Sequence, residues 1–102
     1  MPLYKIKYTT ESLKELREII NYYESLSTGL GKRFRQNFLI AIGKIKANPF
    51  YASVRYDNVR FAAVNKFPYA AHYTVDDVRK YVIIYAVLGF RQDPDTNWKI
   101  TV

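Results

Sequence analysis

Cations and aromatic rings, rather than metal ligands or nucleophiles, are the residues through which this chain could do chemistry. His72 is the one histidine and there is no cysteine, so no H-x-x-x-H pair and no zinc-type cysteine spacing can form. No metal and no cofactor are expected. Serine catalysis lacks its framework: there is no G-x-S-x-G elbow, Ser12, Ser25 and Ser27 fall on or beside a helix, and Ser53 has no adjacent base. Gly29-Leu30-Gly31 is too short for a phosphate loop and is not followed by the lysine and hydroxyl pair that completes one. Asp76-Asp77 and Asp93-x-Asp95 sit beside turn signals, where aspartate commonly satisfies backbone donors.

What is left is a basic and aromatic set on the later half of the chain. If Val59 and Phe61 face inward, Arg60 points to the opposite face, and His72 follows it if Tyr69, Ala71 and Tyr73 also face inward. Arg91 could close that surface, and Lys5 and Lys7 could border it as nucleic-acid or target contacts. The arginine fork suits phosphate because it donates two parallel, charge-assisted hydrogen bonds. Aromatic rings can stack on unpaired bases. A metal-free endonuclease could work with such a set, cations stabilising a pentavalent phosphorane while a nearby group moves the 2′-hydroxyl proton. The alternative is a solvated sheet face with scattered arginines.

The elements that must hold these residues can be read from periodicity. Residues 3 to 8 alternate, with Tyr4, Ile6 and Tyr8 on one side and Lys5 and Lys7 on the other, which predicts a half-buried strand. Thr10 offers a cap, Glu11 and Glu15 suit the positive end of a helix dipole, and Leu13, Leu16, Ile20 and Tyr23 repeat at helical spacing. A helix over about 11–26 follows. Gly29 and Gly31 punctuate the chain; then Leu30, Phe34, Phe38, Ile42 and Ile45 mark a second helix that ends at Asn48-Pro49. A tight connection makes these an antiparallel hairpin. From Val54 the period becomes two. Strands are expected around 59–64 and 69–75, joined at Lys66-Phe67-Pro68, and the β-branched run Tyr81–Leu88 reads as a central strand.

The expected fold is therefore α+β: an N-terminal strand, a two-helix hairpin, then a three-stranded antiparallel meander completing a mostly antiparallel four-stranded sheet. A chain of 102 residues fits one such domain, 1–102. The formal charge is +7, which points to acidic partners. Nine basic and four acidic residues precede the break after Asn48, and seven and five follow it, so the excess leans to the helical half. No segment approaches the roughly 20 apolar residues that cross a bilayer, and no secretory leader is evident. A cytoplasmic protein with no membrane partner is expected.

Short pieces in order also carry a likeness. Tyr56-Asp57-Asn58-Val59-Arg60, Lys66-Phe67-Pro68-Tyr69, Ile83-Ile84-x-Ala86-Val87 and Asp93-Pro94 with Trp98 follow a first half containing Leu13-x-x-Leu16, Tyr22-Tyr23, Arg33-Phe34 and Asn48-Pro49. Together they resemble the RelE/ParE toxin superfamily. The resemblance implies a plasmid-stabilisation-type toxin encoded beside an antitoxin partner and acting either by cleaving messenger RNA on the ribosome or on DNA gyrase. It also implies that Arg60 matches the arginine that meets the scissile phosphate in the nuclease branch; if the chain is a nuclease, Arg91 would assist and His72 or Tyr85 could handle a proton. Many relatives read H-x-x-R-[DN]-P after the last strand; here Gly89 stands at the histidine position and Gln92 at the arginine position, and no tyrosine follows Tyr85. A degenerate, non-enzymatic toxin that serves as an antitoxin-binding or autoregulatory module is the alternative.

Overall fold

Lys5–Tyr8 form β1, Thr10–Leu26 α1, Leu30–Ala47 α2, Val54–Tyr56 β2, Val59–Ala63 β3, Tyr69–Asp76 β4 and Tyr81–Gly89 β5 in a computed structural model that describes residues 4–89. The sheet order is β1-β5-β4-β3-β2, antiparallel except for the parallel β1–β5 pair. The α+β class is as expected, and β5 is an interior strand between β1 and β4, although β4 holds the centre. The sheet has five strands rather than four, because Val54–Tyr56 folds back on β3. Asp57 and Asn58 both take positive φ between the paired residues Tyr56 and Val59, the backbone of a two-residue primed hairpin turn. Aspartate and asparagine tolerate that conformation better than other non-glycine residues.

The helices form the expected hairpin, with two refinements. Thr9, not Thr10, is the N-cap of α1: its hydroxyl oxygen accepts from the Ser12 N–H at 3.1 Å, and buried Ser12 donates its own hydroxyl to the Thr9 carbonyl. The start of α2 has no side-chain cap of its own. Instead the Glu24 carboxylate, from α1, accepts from the N–H groups of Gly29 and Gly31 at 2.9 and 3.0 Å. Both glycines are required by geometry. Gly29 sits at φ +89, and a Cβ on Gly31 would lie 2.5 Å from the Ile20 carbonyl oxygen.

One face of the sheet packs under the helices. Its core joins Ile19, Phe34, Phe38, Ile42 and Ile45 to Ala62, Val64, Ala71, Tyr73, Val82, Ile84 and Val87. The helices supply the aromatic bulk, and the strands beneath them supply alanines that leave room for it. On β5 the inward residues change parity between Ile84 and Val87, because a bulge opposite His72 and Tyr73 inserts one extra residue. That bulge is held from α1. The Thr9 hydroxyl donates to the Tyr85 carbonyl, and the Val87 N–H donates to the Glu15 carboxylate at 2.9 Å. These contacts satisfy an edge that β1, ending at Tyr8, leaves uncovered. No helix among the described residues is long and apolar enough to cross a membrane.

Candidate functional site

Strand register decides which candidates share a surface. Arg60 pairs with Tyr73 and Ala62 with Ala71, while Phe61 pairs with His72. Residues directly opposite in a ladder lie on one face, and Tyr73, Ala71 and Ala62 belong to the core. Arg60 is therefore on the helix side and His72 on the other. The expectation that Val59 and Phe61 face inward, with Arg60 beside His72, is corrected. It assumed that the larger apolar residues point to the core, whereas Phe34 and Phe38 already fill that volume and small Ala62 fits beneath them.

On the helix side Arg60 closes the loop leaving α2. Its Nη1 donates to the Ala52 carbonyl at 2.5 Å and makes a longer contact, 3.4 Å, to that of Phe50; its guanidinium lies 5.1 Å from the centre of the Phe50 ring. Tyr73, fully buried, donates its hydroxyl to the Pro49 carbonyl at 2.8 Å. Burial pushes the Tyr73 phenol up to about 12, the nearby Arg60 charge pulling weakly the other way. Tyr73 is thus a permanent donor at neutral pH. Together the two side chains fix three carbonyls of residues 49–52.

The opposite face carries a ladder of rings and cations. The His72 and Phe61 rings stack with centroids 3.8 Å apart, and Arg55 sits over the Phe61 ring at 5.2 Å while Tyr56 meets its edge at 6.0 Å. Toward the other side of the sheet, Lys5 pairs with Tyr81 and Lys7 with Ile83, and the Lys7 ammonium lies 4.1 Å from the Tyr81 ring centre. Alternation outward from inward-facing Ile84 puts Tyr85 on this face, and alternation back from Val87 puts Ala86 there too. Tyr85 is exposed. The structure thus gathers Lys5, Lys7, His72 and Tyr85 on one face, leaves Arg60 on the other, and adds Arg55. Arg91 lies outside the described residues.

Burial pulls the His72 imidazole down to about 4, so it is neutral at pH 7. Its Nδ1 is buried and has no hydrogen-bond partner among the described residues. A general base or acid works best with a pKa near the working pH; His72 is a stacking surface with a free ring nitrogen rather than such a group. Exposed Arg55, Lys5 and Lys7 can hold phosphates or carboxylates. Arg55 was missed in the sequence because its strand was not recognised. Asp57-Asn58, read as a two-residue hairpin turn, would have paired Arg55 with Arg60 on one face; a one-residue register shift between Val54 and Tyr56 sets them apart, and it has no signal in the sequence.

No family model and no curated protein sequence matches the chain. Solved structures do. A chain of the chromosomal ParDE TA system from P. aeruginosa superposes with a TM-score of 0.66 at 19% identity, covering 82% of this chain and 92% of that one. A chain of the toxin–antitoxin complex RelBE2 from Mycobacterium tuberculosis gives 0.61 at 21%, covering 91% and 97%. The chain has the RelE/ParE-like toxin fold. The expectation drawn from its short sequence pieces is borne out at the level of fold, which by itself assigns no chemistry.

Proposed function

We propose that this RelE/ParE-like chain is the toxin of a type II toxin–antitoxin pair, neutralised in the cytoplasm by a co-encoded antitoxin and acting on translation or on DNA gyrase. The observation that carries the reading is the extent of the structural likeness: it spans nearly the full length of chains from two toxin–antitoxin systems. The face bearing Lys5, Lys7, Arg55 and the Phe61–His72 stack is the target surface, since it presents cations beside aromatic rings without a carboxylate among those groups.

Induced expression with and without the neighbouring gene tests the reading. Growth arrest that the neighbour relieves is expected; harmless expression in both strains would sink it. Primer extension on ribosome-bound message and a supercoiling assay with purified gyrase then separate the two targets. Message cuts identify the translation branch, and plasmid that stays relaxed identifies gyrase.

A second reading is favoured by the position of Arg60 and by Gly89 at the family histidine position: a toxin scaffold retained to bind its antitoxin without nuclease activity. The Arg60 side chain is engaged with loop carbonyls on the helix side, away from His72 and Tyr85. This reading predicts a stable complex with the neighbouring product and no arrest in its absence.

A further inference from the structure

The outward side of α2 is unlike the rest of the surface. The helix carries Lys32, Arg33, Arg35, Lys44 and Lys46 and no aspartate or glutamate in 18 residues, and all five cations are exposed. At about 100° per residue, Leu39, Ile40, Gly43 and Ala47 fall together opposite the buried Phe34, Phe38, Ala41, Ile42 and Ile45. Leu39 is 44% and Ile40 56% exposed, and a Cβ on Gly43 would meet nothing within 4 Å. Lys32 and Gln36 occupy the same side in the first half of the helix, so the apolar stripe runs from Leu39 to Ala47; Arg35 and Lys46 flank this side on one edge, Arg33 and Lys44 on the other.

Branched apolar side chains gain nothing from phosphate contacts, and a helix glycine costs about 1 kcal/mol against alanine unless close approach needs it. From that arrangement we infer that the outward side of α2 is a docking surface for an amphipathic helix of a partner protein, apolar along one stripe and acidic on both flanks. The partner's apolar stripe packs on Leu39, Ile40 and Ala47, with Gly43 letting its backbone come close. Its carboxylates meet the two basic rows. A second copy of this chain is a poor occupant, because two α2 helices would oppose cation to cation. The inference needs only the surface of α2 and goes beyond the toxin reading.

The test uses the full chain, isotope-labelled for NMR, and a synthetic peptide about as long as α2 with leucine and alanine on one face and glutamates beside them. Resonance shifts confined to the outward side of α2, from Arg33 to Ala47, are expected. A scrambled peptide of equal composition should bind about tenfold more weakly or worse, as should the peptide to Gly43→Gln or Gly43→Glu. Both substitutions raise helix propensity at an exposed site, so unchanged thermal melting will separate lost docking from lost folding. Equal binding by the scrambled peptide, shifts outside α2, or wild-type affinity in both Gly43 variants would overturn the inference. So would an RNA duplex that shifts the same residues more strongly than the peptide, or dimerisation of the free chain through α2.

Discussion

Arg55 and Arg60 lie on adjacent strands of one hairpin, yet Arg55 stands over the Phe61 ring on the face away from the helices while Arg60 holds carbonyls of the loop that leaves α2. The difference follows from a bulge. Tyr56 pairs with Val59, and the register then shifts by one so that Val54, not Arg55, pairs with Arg60; Arg55 is the extra residue and projects to the other side. One arginine is part of how the fold closes; the other is free to meet something outside it. The same division runs through the sheet, with fully buried Phe34 and Tyr73 on the helix side and the half-exposed Phe61 stack on the other.

The widest separation between the faces should come from aromatic truncation. Phe34 is fully buried and touches the Tyr23, Phe38, Phe67 and Tyr69 rings, so Phe34→Ala should cost about 3–5 kcal/mol in urea unfolding. Phe61→Ala should cost well under half of that while weakening target binding. Equal losses in stability would show that the division between the faces is false.

The arginines themselves come next. Arg60→Ala leaves the Ala52 and Phe50 carbonyls without their charged donor and should destabilise by about 1–2 kcal/mol; Arg55→Ala, at an exposed site, should change stability by less than about 0.5 kcal/mol. The activity readout should run the other way. Arg55→Ala should lose toxicity with its melting curve intact, whereas Arg60→Lys, which keeps a donor near the loop, should recover part of the stability lost in Arg60→Ala. Toxicity abolished by Arg60→Lys at wild-type stability would return Arg60 to the target surface.

This pair also marks how far the sequence could be read. Helix and strand periods were strong because Leu30, Phe34, Phe38, Ile42 and Ile45 on one side and the run Tyr81–Leu88 on the other have unambiguous spacing. The short pieces from Tyr56 to Val87 carried the fold likeness. Alternation along β3, however, is apolar on both sides: Val59 and Phe61 compete with Ala62 and Val64 for the core. Only the pairing partners decide, and those depend on the turn at Asp57-Asn58 and on the bulges at Arg55 and Tyr85. None of these leaves a periodic trace. The trans cap from Glu24 was equally hidden, since it joins two helices through space.

A smaller effect separates the faces by pH. The folded pKa of His72 is lowered from 6.5 to about 4 by burial. Below pH 6.5 the unfolded chain takes up a proton that the folded chain refuses, so this contribution is complete above pH 6.5, falls as the pH drops, and levels off below about 4. Allowing for partial solvent access to the ring, the loss should be about 1 kcal/mol. Urea midpoints at pH 7 and 4.5 for wild type and His72→Phe will show it as a difference between the two proteins. Parallel midpoints would mean that the His72–Phe61 stack admits water freely.

The smallest effect concerns the turn that joins the strands carrying the two arginines. Asn58 holds φ 67, a conformation that glycine reaches without the steric cost an L side chain carries. Asn58→Gly should therefore stabilise the hairpin by a few tenths of a kcal/mol. Asn58→Val should do the reverse, because a branched Cβ opposes the left-handed region more strongly than asparagine does. If the turn sets the register, the valine variant will loosen both ends of the comparison at once: hydrogen exchange will quicken at Val54 and Arg60 alike, and Arg55 will lose its place over Phe61. Faster exchange at β2 with β3 unchanged would mean that Arg60's hold on Ala52, rather than the turn, keeps the hairpin in register.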